Sequence, residues 1–151
     1  MEQNYYDRFP DVLKQALKNG LISLEKEDIL WDYPSFRVFR IIKRKKGEDF
    51  VLNEKDFWSK PELLGSTGRV PTAADECEAG YYSCSFFTET EPLEILFKLP
   101  KPQKKLAEGN LESIYGPVRI NDGTKHVDCW LYNPKKLVGG FKIVEDEKSV
   151  S

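Results

Sequence analysis

Hydrophobic and polar residues follow two different periods along this chain. Over residues 11–21, Val12, Leu13, Ala16, Leu17 and Leu21 fall on one stripe of a 3.6-residue repeat, with Lys14, Gln15 and Lys18 opposite. The spacing predicts a helix that Pro10 and Asp11 open and Asn19-Gly20 stops. Residues 23–31 read as a second short helical turn. Over residues 35–45 the period drops to two. Phe36, Val38, Arg40 and Ile42 share one face, and Arg37, Phe39 and Ile41 share the other, which predicts a central strand covered on both sides. A turn at residues 45–49 then lets residues 50–52 pair back. Residues 53–59 predict a short helix, with Asn53 as its N-cap and Asp56 near the positive end of its dipole.

Residues 60–80 lack periodicity and are rich in Gly, Pro, Ser and Thr, the pattern of a long functional loop. Residues 80–87 predict an aromatic strand. Residues 88–99 predict a helix with Pro92 in its first turn, Leu93, Leu96 and Phe97 inward, and Pro100 and Pro102 as its stop. The last third reads as strands over residues 105–107, 114–120, 125–132 and 138–144. Turns at Glu108-Gly109-Asn110, Asn121-Asp122-Gly123 and Asn133-Pro134 separate them. The order of elements predicts one α+β domain over residues 1–144, with a charged flexible tail at 145–151. Its twisted, mostly antiparallel sheet would have about five to seven strands, with two to three helices.

Composition narrows the chemistry. The chain has 151 residues, 40% of them hydrophobic and 32% charged, which suits one globular domain with its own core. A net charge of -2 argues against bulk nucleic-acid binding. A single His excludes a multi-histidine metal site, and three Cys do not make a disulfide framework. No apolar stretch approaches the roughly 20 residues of a membrane span, and no signal peptide or lipidation signal is visible, so a cytoplasmic protein is expected. G-x-G-x-x-G, Walker and G-x-S-x-G patterns do not occur.

Two strands carry the candidate site residues. In residues 80–87 the period puts Tyr81, Ser83, Ser85 and Phe87 on one face, where two small hydroxyls between aromatics leave room for a ligand. In residues 125–132, His126, Asp128, Trp130 and Tyr132 share a face, while Val127, Cys129 and Leu131 face the core. Such a row suits a stacked base or sugar, or a protein partner. A hydrolase triad from Ser83 or Ser85 with His126 and Asp128, and a zinc site from Cys77, Cys84, His126 and Cys129, are further combinations. The basic run 43–46 and the acidic run 75–78 read as solvated turns.

Three short features resemble the ADP-ribosyltransferase fold. They are Arg37 or Arg40 on an early strand, Ser83-Cys84-Ser85 leading into a helix at Pro92, and a later Glu108 or Glu112. The resemblance implies an NAD pocket shaped by the Arg and the serines, and a catalytic Glu that polarises the ribose. The middle Thr of the serine motif is Cys84 here, and neither Glu108 nor Glu112 closes a Glu-x-Glu or Gln-x-Glu pair. The expected function is therefore a non-enzymatic binding or interaction module without a cofactor. Its partner would be a protein or a small ligand, and its site the polar and aromatic sheet face of Arg37, Arg40, Ser83, Ser85, His126, Asp128, Trp130 and Tyr132. The alternative is a small NAD-using transferase with Glu108 or Glu112 as its catalytic residue.

Overall fold

In a computed structural model of the chain, residues 6–67, 77–94, 98 and 103–144 are described. The first stripe folds as α1 (Asp11–Lys18), which buries Leu13 and Ala16. Its end follows from Gly20, whose φ of +74° is open to a residue without Cβ. The Gly20 N–H then reaches Leu17 O at 3.2 Å and the Leu21 N–H reaches Ala16 O at 3.0 Å, a Schellman closure. The second helical turn expected at 23–31 does not form. Leu24 and Ile29 are buried instead, and Leu30 exchanges two backbone hydrogen bonds with Val118, which requires extended chain.

The sheet has six antiparallel strands: β1 (Phe36–Arg44), β2 (Cys84–Phe87), β3 (Gln103–Leu111), β4 (Val118–Asn121), β5 (His126–Cys129) and β6 (Lys142–Ile143). Their spatial order is β4-β5-β2-β1-β3-β6. β1 pairs with β3 along its whole length, from Phe36↔Leu111 to Arg44↔Gln103. That register corrects two expectations. Residues 50–52 do not pair back on β1, because β3 holds that place and Arg44 binds Asp49 O and Val51 O instead. Glu108-Gly109-Asn110 is not a turn but mid-strand. Gly109 is needed for contact, since a Cβ there would lie 2.6 Å from the Phe141 ring.

Other boundaries move for local reasons. Asn53 and Asp56 do form a capping box, but the element they open is a single 3-10 turn, Glu54–Phe57. The expected loop at 60–80 contains α2 (Lys60–Thr67), at whose start the Ser59 N–H and Oγ–H both donate to Glu62 Oε1, so that the glutamate reaches back over the first turn. Residues 68–76 lie outside the described residues, as do 95–97 and 99 of the helix expected at 88–99 and its stop at 100 and 102. The described part of that helix is a 3-10 turn, Glu91–Leu93. Ala79–Tyr82 and Ser113–Tyr115 are likewise 3-10 turns, so the strands expected at 80–87 and 114–120 start later. The strand expected at 125–132 ends at Cys129, and 138–144 keeps only β6 after a 3-10 turn at Lys136–Gly140. The β4–β5 hairpin stands as predicted, closed by Asn121 Oδ1 on the Thr124 N–H.

Two apolar clusters hold the domain. One face of the sheet, with Val38, Ile42, Phe86, Leu111, Val127 and Cys129, is covered by Phe57, Leu137 and Phe141. On the other side, Trp130 and Tyr132 pack with Phe9, Leu13, Leu24 and Ile29 in a second cluster built by α1 and the chain after it. The fold is a single α+β domain. Among the described residues no helix is long and apolar enough to cross a membrane.

Candidate functional site

The centre of the sheet is its least complete part. β1 and β2 share one registered pair, Phe39↔Phe87, and then separate. Hydrogen-bond alternation shows what the separation leaves open. The Thr88 N–H bonds Lys125 O, so Phe87 and Ser85 turn their own N–H and C=O away from β5 and toward β1. By the same alternation Phe39 and Ile41 turn theirs toward β2. Past Phe39 and Phe87 the strands part, and Ile41, Ser85 and Phe87 are among the residues that line a cleft of about 570 Å3.

Arg40 sits across that cleft. Its Nε donates to Asp56 O and its Nη1 to Ser85 O, both at 2.7 Å, so one side chain ties the 3-10 turn to β2. The rings of Phe57 and Phe86 lie 6.0 and 5.8 Å from the guanidinium carbon. An arginine has five N–H donors. Among the described residues Arg40 meets carbonyl oxygens and no carboxylate, so its charge is solvated by dipoles and not neutralised. Lys43, Lys55 and Lys60 add three more cations to the lining. The lining carboxylate, Asp56, is held by Arg44 through two hydrogen bonds of 2.7 Å. That contact raises the Arg44 pKa above its ordinary value.

The cleft's apolar wall is Ile41, Phe87, Leu93 and the half-buried indole of Trp58, with Lys55 Nζ 5.5 Å from the ring centre. Ser85 and Ser83 also reach the cleft, but they differ. Ser83 Oγ is committed to Asp128 Oδ1 at 2.7 Å and Gly80 O at 2.9 Å. Ser85 lends its carbonyl to Arg40 and is half-buried. Two local side-chain closures put these groups in place. The one at Asn53 presents Lys55 and Asp56, and the one at Ser59 starts α2 with Lys60 and Leu63 against the cleft.

Glu62 has a second role. Its Oε2 accepts from Lys135 Nζ at 2.8 Å, and the same ammonium donates to Asn133 Oδ1 at 2.9 Å. The Lys135 side chain is 1% exposed and that of Glu62 13% exposed. This buried pair fastens α2 to the chain after β5.

The remaining predicted residues do not join the cleft. Asp128 is buried and takes Ser83 on Oδ1 and two Arg119 bonds, at 2.8 and 3.1 Å, on Oδ2. His126 Nδ1 is 3.9 Å from Oδ1. Serine thus bonds the aspartate and not the histidine, which is not the order of a hydrolase triad. Trp130 and Tyr132 are interior, against the expectation of an open aromatic face. Trp130 is 0% exposed, and its Nε1–H donates to Ala79 O. Tyr132 stacks on Phe9 at 5.0 Å under Arg8. Period-two alternation places them correctly on the face of Asp128, but α1 and the segment after it cover that end of the face.

Arg37 and Glu108 form an ion pair with each other, joined by Lys142 at 3.8 Å. They line a separate hollow of about 390 Å3 beside Gly139 and Gly140. Glu112 belongs to a 3-10 turn, where its carbonyl accepts from the Tyr33 hydroxyl at 2.9 Å and its carboxylate lies 3.5 Å from the Tyr115 hydroxyl. Burial, foremost, raises the pKa of that Tyr33 hydroxyl. Of the predicted residues, then, Arg40, Ser83 and Ser85 converge, and neither glutamate is with them. Cys84 and Cys129 face each other in register, and burial pushes the Cys84 thiol up to about 11 and that of Cys129 well above its ordinary value. Among the described residues no group of three or more metal-ligating side chains occurs. In comparisons with known proteins, the chain matches no family model, no curated protein and no solved structure.

Proposed function

We propose that this chain is a binding module that holds a small anionic ligand in the cleft between β1 and β2. The observation that carries the reading is Arg40: a half-buried guanidinium that bridges two segments through carbonyls and, among the described residues, meets no carboxylate. Hydrogen bonds from an ionised donor to an ionised acceptor are about twice as strong as neutral ones, so an anion is the natural further partner. Lys43, Lys55 and Lys60 on the same lining favour the same sign of ligand. The separation of Glu108 and Glu112 from this cleft weighs for binding over ribosyl transfer. The burial of Trp130 and Tyr132 weighs against a flat protein-docking face.

A thermal-shift screen of organic anions tests the proposal. A ligand at one hundred times its Kd stabilises the folded state by about 2.7 kcal/mol. For a domain of this length that is a rise of roughly 5–11 °C. The rise should vanish in Arg40→Gln and persist in Glu108→Gln. No stabilisation by any anion, or an equal rise in Arg40→Gln, sinks the reading.

A further inference from the structure

We infer that the anion is a nucleoside 5′-phosphate, an inference that rests on the cleft reading above. Four features narrow the ligand. The first is charge. Among the described residues the lining carries four cations against one carboxylate, and Arg44 already neutralises that carboxylate. A phosphomonoester, with close to two negative charges and three acceptor oxygens, uses such a surplus better than a single carboxylate does.

The second is the setting of that charge. Lys43, Lys55 and Lys60 stand at exposed positions on the lining, so their field reaches an approaching phosphate although the whole chain is acidic.

The third is size and surface. About 570 Å3 falls in the usual range for small-ligand sites, and the Trp58 indole with Phe87 and Ile41 offers a planar apolar body something to lie against. Base-on-aromatic stacking contributes on the order of 1–3 kcal/mol.

The fourth is the parted register itself. Ile41 turns its N–H and C=O, and Ser85 its N–H, toward the parted side, while the Ser85 C=O accepts from Arg40. The edge of a nucleobase presents alternating acceptors and donors of the same kind. An anionic lipid or a simple dicarboxylate has no such edge to offer. The phosphate would meet Arg40 and the lysines, and the base would meet Trp58 and the open strand groups.

Isothermal titration tests this with AMP, GMP, CMP and UMP, and with adenosine, inorganic phosphate and citrate as separated parts and controls. The expected result is saturable binding of at least one mononucleotide. Adenosine and phosphate alone should each be about tenfold or more weaker than AMP if AMP is that ligand, since both halves of the site contribute. Lys43→Ala with Lys60→Ala, both on exposed positions, should weaken binding and flatten its salt dependence. Trp58→Ala should weaken the mononucleotide but not inorganic phosphate. These two variants keep the test decisive if Arg40→Gln fails to fold. Citrate binding that depends on Arg40, with no heat from any mononucleotide, overturns the nucleotide inference while leaving the cleft reading in place. No heat from any of these anions overturns both.

Discussion

The Lys135–Glu62 pair allows a quantitative prediction about what holds the cleft's outer wall. At 2.8 Å and an effective dielectric constant of about 20, the attraction is about 6 kcal/mol before desolvation. Desolvating two ions offsets several kcal/mol of that, so the pair's net contribution is small. Breaking it is a different matter. Lys135→Met keeps most of the aliphatic stem but leaves the Glu62 carboxylate buried, with Ser59 as its remaining donor. That variant should lose about 3–5 kcal/mol. Replacing both partners, as Glu62→Gln with Lys135→Met, should recover at least half of the loss, because no unpaired charge remains. Urea unfolding followed by tryptophan fluorescence measures these two variants and the single Glu62→Gln, and the double-mutant cycle they complete isolates the coupling. A single Lys135→Met variant within about 1 kcal/mol of the parent would refute the claim that these two charges are desolvated together.

Other expectations follow from packing and burial. Trp130→Ala should cost about 3–5 kcal/mol by chemical denaturation, as an emptied core site with its Ala79 hydrogen bond lost; an unchanged midpoint would mean the indole is not interior. Gly109→Val should lower the Tm strongly, since its Cβ would lie 2.6 Å from Phe141 and 2.9 Å from Gly140 O, whereas Gly139→Ala, with nothing within 4 Å, should not. At pH 8 a thiol reagent should label exposed Cys77 alone in the native protein and all three cysteines after unfolding. Because burial raises the Cys84 thiol pKa to about 11 from 9.0, the unfolded chain releases that proton first. Stability should therefore be intact below about pH 9 and decline as pH rises toward 11, as pH-dependent unfolding midpoints would record.

Local rules carried some elements into the sequence in readable form. The stripe of α1, the double-sided pattern of β1, the Asn53–Asp56 capping box and the hairpin at Asn121 all depend on near neighbours. α2 was equally legible, because Ser59-Lys60-Pro61-Glu62 is a capping-box sequence, but its weak amphipathicity hid it among loop residues. What stayed hidden was settled by distant partners. Alternation put Trp130 on the face of His126, yet only α1, more than a hundred residues earlier, decides that this end of the face is dry. Glu108 reads as a turn residue until β1 supplies nine consecutive partners for β3. The convergence of Arg40 with Ser83 and Ser85 depends on where two strands part, and no spacing along the chain encodes that.

The parting of β1 from β2 also has a mechanical meaning. It divides the sheet into two ribbons, β4-β5-β2 and β1-β3-β6, each laced along its strands, with one ladder pair and the Arg40 clamp across the join. Backbone hydrogen bonds are then dense within each ribbon and sparse between them, so the shared core of Val38, Ile42, Phe86 and Val127 carries most of the join. A molecule bound across it acts as a strut, and its effect should reach well beyond the residues it touches. Slowed amide exchange at both β1 and β2 together on ligand addition is the signature of two plates becoming one.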